Sequence, residues 1–136
     1  MIELLIVMSI ISILSGVLVS GYFYYKKTND FQLAVQQTAN MIRKARLNSI
    51  AGSEDSQWSV NIQAGEVIVF KGTNFPGRDQ SFDETVKIKG VSDVTGLSQI
   101  EFSKTFGIPQ TSGLLTLSND SESEIIQINE KGIISY

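Results

Sequence analysis

Residues 2–27 read IELLIVMSIISILSGVLVSGYFYYKK: one carboxylate, Glu3, then a run from Leu4 to Tyr25 without a single charge, then Lys26 and Lys27. As a helix that run rises roughly 33 Å, about the thickness of a bilayer's hydrocarbon core. A secretory signal peptide carries its positive charge ahead of a shorter apolar stretch and ends on a small-residue cleavage site. Here the lysines follow the run and no A-x-A-like site closes it, so the segment reads as retained. Tyr22, Tyr24 and Tyr25 with Lys26 and Lys27 have the make-up of a membrane-interface belt, rings at headgroup level and ammonium groups just beyond.

Beyond the lysines the helical period continues. Phe31, Val35, Thr38, Ile42, Ala45 and Ser49 recur at steps of four and three, Ala34 and Met41 widen the stripe, and Gln37, Arg43 and Lys44 fall mostly off it. That spacing predicts an amphipathic helix with a globular partner. Thr28, Asn29 and Asp30 are capping residue types, so a continuous rod and two separate helices both fit. Gly52 before SEDS is the expected end. The expected units are an apolar helix over 1–25, an amphipathic helix over 26–52 and a globular head over 53–136.

In the head the period shortens to two. SQWSVNI and EVIVFKG flank QAG as a hairpin, and TVKIKGV, SQIEFSK, GLLTLSN, SEIIQIN and GIISY follow, bounded by Gly, Asn, Asp or Ser. NEKG between the last two predicts a tight reversal, while TNFPGRDQSFD and PQTSG, which hold both prolines, predict longer loops. The expected fold class is α+β: a long N-terminal helix packed on a small antiparallel β-sheet. Trp58 and Phe70, on adjacent strands, are expected in its core.

Composition narrows the function. Residues 1–50 hold five Lys/Arg against two Asp/Glu, and residues 51–136 hold six against twelve, an acidic head that disfavours general nucleic-acid binding. With no histidine, the commonest general base and metal ligand are both missing, and with no cysteine there are neither disulfides nor thiolate metal sites. Ser103 and Lys104 are the nearest approach to a Ser-Lys pair, but neighbours on a strand point to opposite faces. No catalytic residue, cofactor or metal site is expected.

The stretch IELLIVMSIISIL, followed by aromatic and basic residues, an amphipathic helix and a small β domain, resembles the N-terminus of type IV pilins and pseudopilins. The region IEFSKTFGIPQTSGLLTLSNDSESEIIQINEKGIISY is similar to the closing strands of H-type minor pseudopilins and related minor pilins. In that superfamily a leader is removed, the new N-terminus is methylated, and a glutamate a few residues in heads an apolar helix. Glu3 matches that glutamate, and Ile2, Leu4 and Leu5 match its neighbours, about two residues nearer the first residue, Met1, than the family pattern. The helix-breaking proline of many members is absent. Gly16 and Gly21, with Ser9, Ser12, Ser15 and Ser20, are the elements left to loosen this helix or to let neighbouring helices approach.

The resemblance implies a pilin-like structural subunit of a filament, in a type IV pilus or a type II secretion pseudopilus. Such filaments serve adhesion, motility, DNA uptake or protein export. The implied partners are other copies or related pilins, the assembly machinery, a prepilin peptidase and the cytoplasmic membrane, with DNA binding through the head disfavoured. The implied location is that membrane before assembly and an extracellular pilus or periplasmic pseudopilus after it. Assembly would rest on Glu3, Met1, Ile2, Leu4 and Leu5, with Glu3 pairing in the helix bundle with a neighbour's N-terminal ammonium. The alternative is a single-span, membrane-anchored extracytoplasmic β domain with a binding role, in which Glu3 is a solvated helix-start acid favoured by the dipole. Two further features have plain readings: Asp120, Glu122 and Glu124 in SNDSESE as a solvated turn rather than a calcium loop, and Arg43, Lys44 and Arg46 as a solvated helix face.

Overall fold

The stripe on the amphipathic segment governs how the chain packs. In the computed structural model, which describes residues 2–136 with the side chains of 17–21 left out, Phe31, Ala34, Val35, Thr38, Ile42, Ala45 and Ser49 are each at most 1 % exposed, and Met41 is buried with them. They belong to one helix, α1 (Ile2–Ala51), so the continuous rod is the form adopted. Thr28, Asn29 and Asp30 lie inside it and do not cap a second helix. Ala39, fully buried, adds a position the stripe did not include. The helix ends at Gly52, whose φ of 64° is left-handed and open to glycine without steric cost.

Two sheets, rather than one, receive the helix. The first has the order β3-β2-β1-β5, built from β1 (Trp58–Gln63), β2 (Glu66–Lys71), β3 (Glu84–Lys87) and β5 (Gln99–Phe102). The second has the order β4-β6-β7-β8, built from β4 (Asp93–Gly96), β6 (Gly113–Ser118), β7 (Ser123–Ile128) and β8 (Ile134–Ser135). All pairings are antiparallel. Beyond β5 the first sheet continues only as a single bridge, Phe102 opposite Pro109, flanked by hydrogen bonds from Ser103 N to Ile108 O and from Gln110 N to Glu101 O (both 2.9 Å). The chain then returns to pair β6 with β4. The expectation of one small sheet is corrected accordingly, and β4 is an unforeseen strand: DVTG has one inward side chain, Val94, and no alternation to read.

Trp58, Val60, Ile62, Val67, Val69, Ile100 and Phe102 from the first sheet meet Leu115, Leu117, Ile126 and Ile128 from the second and the α1 stripe in a single core. Phe70 is fully buried, but on the opposite face of the first sheet. There it meets Phe75 edge to face, with centroids 5.3 Å apart. Arg78 lies over the Phe75 ring, donates from Nη1 to Phe75 O (2.8 Å) and from Nε to Asp83 Oδ2 (2.7 Å). Gln99 Nε2 donates to Thr73 O (3.0 Å). The loop TNFPGRDQSFD is thereby folded back as the cover of that face.

The two-residue reversal at Ala64–Gly65 and the turn after Asn129 occur where predicted. The last strand is shorter than GIISY: Ile134 packs on the core while Ile133 and Tyr136 are more than half exposed. Lys104 pairs with Asp55, and its hydrogen bond and then its charge hold the Asp55 carboxyl below the usual carboxylate range. A depressed folded value adds stability above the ordinary range and loses it as pH falls through the lower value. At so exposed a side chain that increment is small.

Ser49 joins helix to sheet. Its hydroxyl accepts from Trp58 N (2.8 Å) and donates toward Trp58 O (3.2 Å) in the dry core. Ser49→Ala removes the acceptor and leaves a buried N–H unpaired, a loss of about 1–3 kcal/mol. Urea unfolding of the full chain, followed by the single tryptophan, should shift its midpoint down at unchanged slope.

Candidate functional site

The N-terminal turns of α1 have no covering layer among the described residues. Leu4, Leu5, Ile6 and Val7 point in four directions about 100° apart and are 62, 68, 52 and 54 % exposed. An apolar surface on every side is characteristic of a helix that ends up surrounded, not of one lying on a head with its other face in water. The same exposure runs from Ile2 to Leu14. The polar side chains described within it are already satisfied: Ser9 Oγ donates to Ile6 O (2.8 Å) and Ser12 Oγ to Met8 O (2.8 Å). The segment therefore offers a neighbour apolar surface and small gaps rather than open hydrogen-bonding groups.

Glu3 sits exposed in the first turn, where the helix dipole favours an acid, and makes no ion pair with another described residue. Ile2, Leu4 and Leu5 flank it, all strongly exposed; Met1 lies outside the described residues. Gly16 is exposed, and a Cβ added there would have nothing within 4 Å. The helix runs through both Gly16 and Gly21; the surroundings of Gly21 and Ser20 lie outside the described side chains. Tyr22, Tyr24 and Tyr25 are 62, 73 and 71 % exposed on the turns before Lys26 and Lys27. Among the described residues no helix is long and apolar enough to cross a membrane.

Where this segment meets the head, two loops close on the helix. Thr28 Oγ1 donates to Glu122 Oε1 (2.9 Å), and Lys27 Nζ lies 3.6 Å from Asp120 Oδ2 and 3.4 Å from Ser121 Oγ. Asn119 shapes its loop for this contact, its Oδ1 accepting from Ser121 N and Glu122 N (both 2.8 Å) and its Nδ2 donating to Gly90 O (2.9 Å). Gly90, at φ +80°, runs so close to α1 that a Cβ there would stand 3.1 Å from Phe31 N. The solvated-turn reading of SNDSESE holds for Asp120, which stays 87 % exposed beside Lys27, and is corrected for Glu122, whose carboxylate is turned onto the helix at Thr28. Among the described residues no group of three His, Cys, Asp or Glu side chains could hold a metal ion.

The basic helix face is also occupied by the head. Arg46 donates from Nε to Gly107 O (3.0 Å) and from Nη2 to Lys131 O (2.9 Å), Lys44 pairs with Glu84, and Arg43 lies over the Tyr136 ring at 5.6 Å. Arg43 and Lys44 remain exposed, as a solvated face requires, while Arg46 is half-buried and clamps two loops of the head. Ser103 and Lys104 are also apart in role: Ser103 Oγ accepts from Ile108 N (3.0 Å) while Lys104 is held by Asp55.

Sequence reasoning missed the Thr28–Glu122 contact, since Thr28 read as a cap and Glu122 as a turn residue 94 positions away. The one local hint was Asn119, a residue type that orders the turn ahead of it. No known protein family, curated protein or solved structure matches the chain.

Thr28→Val keeps the side-chain shape and removes the donor. We expect a loss of about 1 kcal/mol, the bond being partly exposed, with faster amide exchange over residues 119–122 and unchanged exchange in β1 and β2.

Proposed function

We propose that this chain is the structural subunit of a type IV pilus-like filament, assembled from a membrane through the N-terminal part of α1. The observation that carries the reading is the all-round exposure of Ile2–Leu14 on a helix whose other end is locked into a folded head. Ten large apolar side chains stand open there. Fully burying each contributes about 1.5–3 kcal/mol, so even half-covering them amounts to on the order of 10 kcal/mol, comparable to the whole stability of a domain. A surface of that size is covered in the working state. A bilayer covers it in the unassembled subunit, and a bundle of identical helices covers it in the filament.

The resemblance of IELLIVMSIISIL to pilin and pseudopilin N-termini supports the same reading, and the H-type likeness of the closing strands favours a minor subunit. In the bundle Glu3 takes a neighbour's ammonium group as its counter-charge, which neutralises both in a low-dielectric setting and sets the axial register between subunits. The head, held by the clamp at Thr28 and the stripe above it, is carried outward as a rigid block. Pilus and secretion pseudopilus share this design, and so do the roles in adhesion, motility, DNA uptake and export.

Glu3→Gln keeps length and most hydrogen-bonding capacity while removing the charge. Membrane levels are expected to stay at or slightly above wild type, while filaments seen by electron microscopy fall to few or none, because stranding one member of a buried pair costs about 3–5 kcal/mol. Wild-type filament numbers in the Gln variant would overturn the pairing and favour the membrane-anchored domain instead.

A further inference from the structure

From Phe31 to Ala51 the helix α1 holds Arg43, Lys44 and Arg46 and no acid. Lys44 is paired with Glu84, whereas no carboxylate among the described residues lies within ion-pair distance of Arg43 or Arg46. Both guanidinium groups line one groove of about 290 Å³ between helix and sheet, with Leu47 on the helix side and Gly132, Ile133 and Ile134 on the other. Glu130, with Lys131 beside it, lines a separate hollow whose only residue in common with the groove is Ile133. A guanidinium has five N–H donors. Arg46 spends two, on Gly107 O and Lys131 O, and Arg43 one, on Asn40 Oδ1 (3.1 Å). The Arg46 bonds also fix the two walls to each other, and Gly132 allows this: a Cβ there would stand 2.9 Å from Arg46 Nε and from Gly107 O.

The sheet wall of the groove is an open edge. β8 is the last strand of its sheet and pairs only with β7. Asn129 N donates to Ile133 O (3.1 Å), so bonded pairs fall at Asn129–Ile133 and Gln127–Ser135, with Ile128–Ile134 the non-bonded pair between them. The N–H and C=O of Ile134 therefore point away from β7, to the side on which the groove lies.

We propose that this groove binds an extended acidic segment of a partner protein, which adds to the sheet at Ile134 and sets a carboxylate against Arg43 and Arg46. The inference stands apart from the filament reading, since the groove lies at the far end of α1 from the apolar segment. Charge complementarity names the occupant: two cations without a carboxylate line the groove, and no acid does. An uncharged strand would take the edge bonds of Ile134 but leave both guanidinium groups without an anionic acceptor. Strand alternation then fixes where the acid sits. Ile134 packs inward on the core, so a residue bonded opposite it points to the same side, toward the guanidinium groups of α1. Its two neighbours point outward, beside the exposed Ile133, and Leu47 meets the aliphatic stem of the acid. The pattern recognised is apolar-acid-apolar, held by backbone bonds at the edge and by charge at the centre. Because Arg46 already ties the walls together, the groove is formed before the segment arrives.

The test is an NMR titration of the isotope-labelled full chain in neutral detergent micelles, following backbone amides. Three capped peptides are added: Gly-Ser-Val-Glu-Val-Ser-Gly, its glutamine counterpart, and the glutamate peptide N-methylated at the glutamate. The expected result is saturable shifts at Ile134 and Leu47 with the glutamate peptide, and a dissociation constant about tenfold higher for the glutamine peptide. N-methylation removes the donor that meets Ile134 O and should weaken binding to a similar degree. In Arg43→Gln, an exposed position, the preference for glutamate should fall severalfold while the amides of β1 and β2 stay where they are. The peptide substitutions test the proposal without altering the protein. No saturable shift at Ile134 with the glutamate peptide overturns it, as do equal affinities for the glutamate and glutamine peptides. Undiminished affinity of the N-methylated peptide overturns the added strand, and a glutamate preference unchanged in Arg43→Gln overturns the assignment of the carboxylate.

Discussion

Burial of the α1 stripe from Phe31 to Ser49 against two sheets is the constraint on which the rest of the molecule depends. Neither sheet has a second layer of its own that could close the core, and the helix supplies it. Its large residues Phe31 and Ile42 are fully buried in the shared core, with the small Ala34 and Ala45 beside them. Thr38 is tolerated at full burial because its hydroxyl donates back to Ala34 O (2.8 Å), and Ser49 because it serves the backbone of Trp58. Since the same helix continues without interruption to Ile2, the geometry of the core also sets the direction in which the apolar segment leaves the head.

That coupling explains why so much polar chemistry gathers along α1. Arg46 holds the loop at Gly107 and the turn at Lys131, Lys44 holds the start of β3, and Thr28 and Lys27 hold the 119–122 loop. Each contact joins the helix to a different part of the head, and together they space out along its docked length. A helix that transmits position from a filament core to an outer surface has to be tied in this way. Packing alone would resist separation but leave sliding and rotation cheaper.

The outer face of the first sheet shows a different solution to burial. Ile68 and Phe70 face away from α1 and are covered by a loop that builds its own small core, Phe75 beneath the Arg78 guanidinium, with Asp83 as the counter-charge. Cover of this kind needs few residues. It leaves the helix free to serve the other face, and with it the second sheet.

Much of this was legible in the chain because the signals were periodic. The 3.6-residue stripe identified the buried face of α1 almost completely, Gly52 its end, and the period-two runs the positions of seven of the eight strands, since burial of one face imposes its own spacing on the residues that supply it. The all-apolar stretch headed by Glu3 was equally plain. What the sequence by itself could not determine was decided by contacts between residues far apart. Thr28–Glu122 and Arg46–Lys131 have no local signature. Asp93–Gly96 becomes a strand only because β6 lies beside it, and the second sheet forms because β6 pairs with β4 and β7 rather than with β5. Whether Thr28–Asp30 capped a new helix or continued the old one was likewise settled by tertiary packing: capping preferences are worth about 1 kcal/mol, and the stripe buried on either side of a straight helix outweighs them.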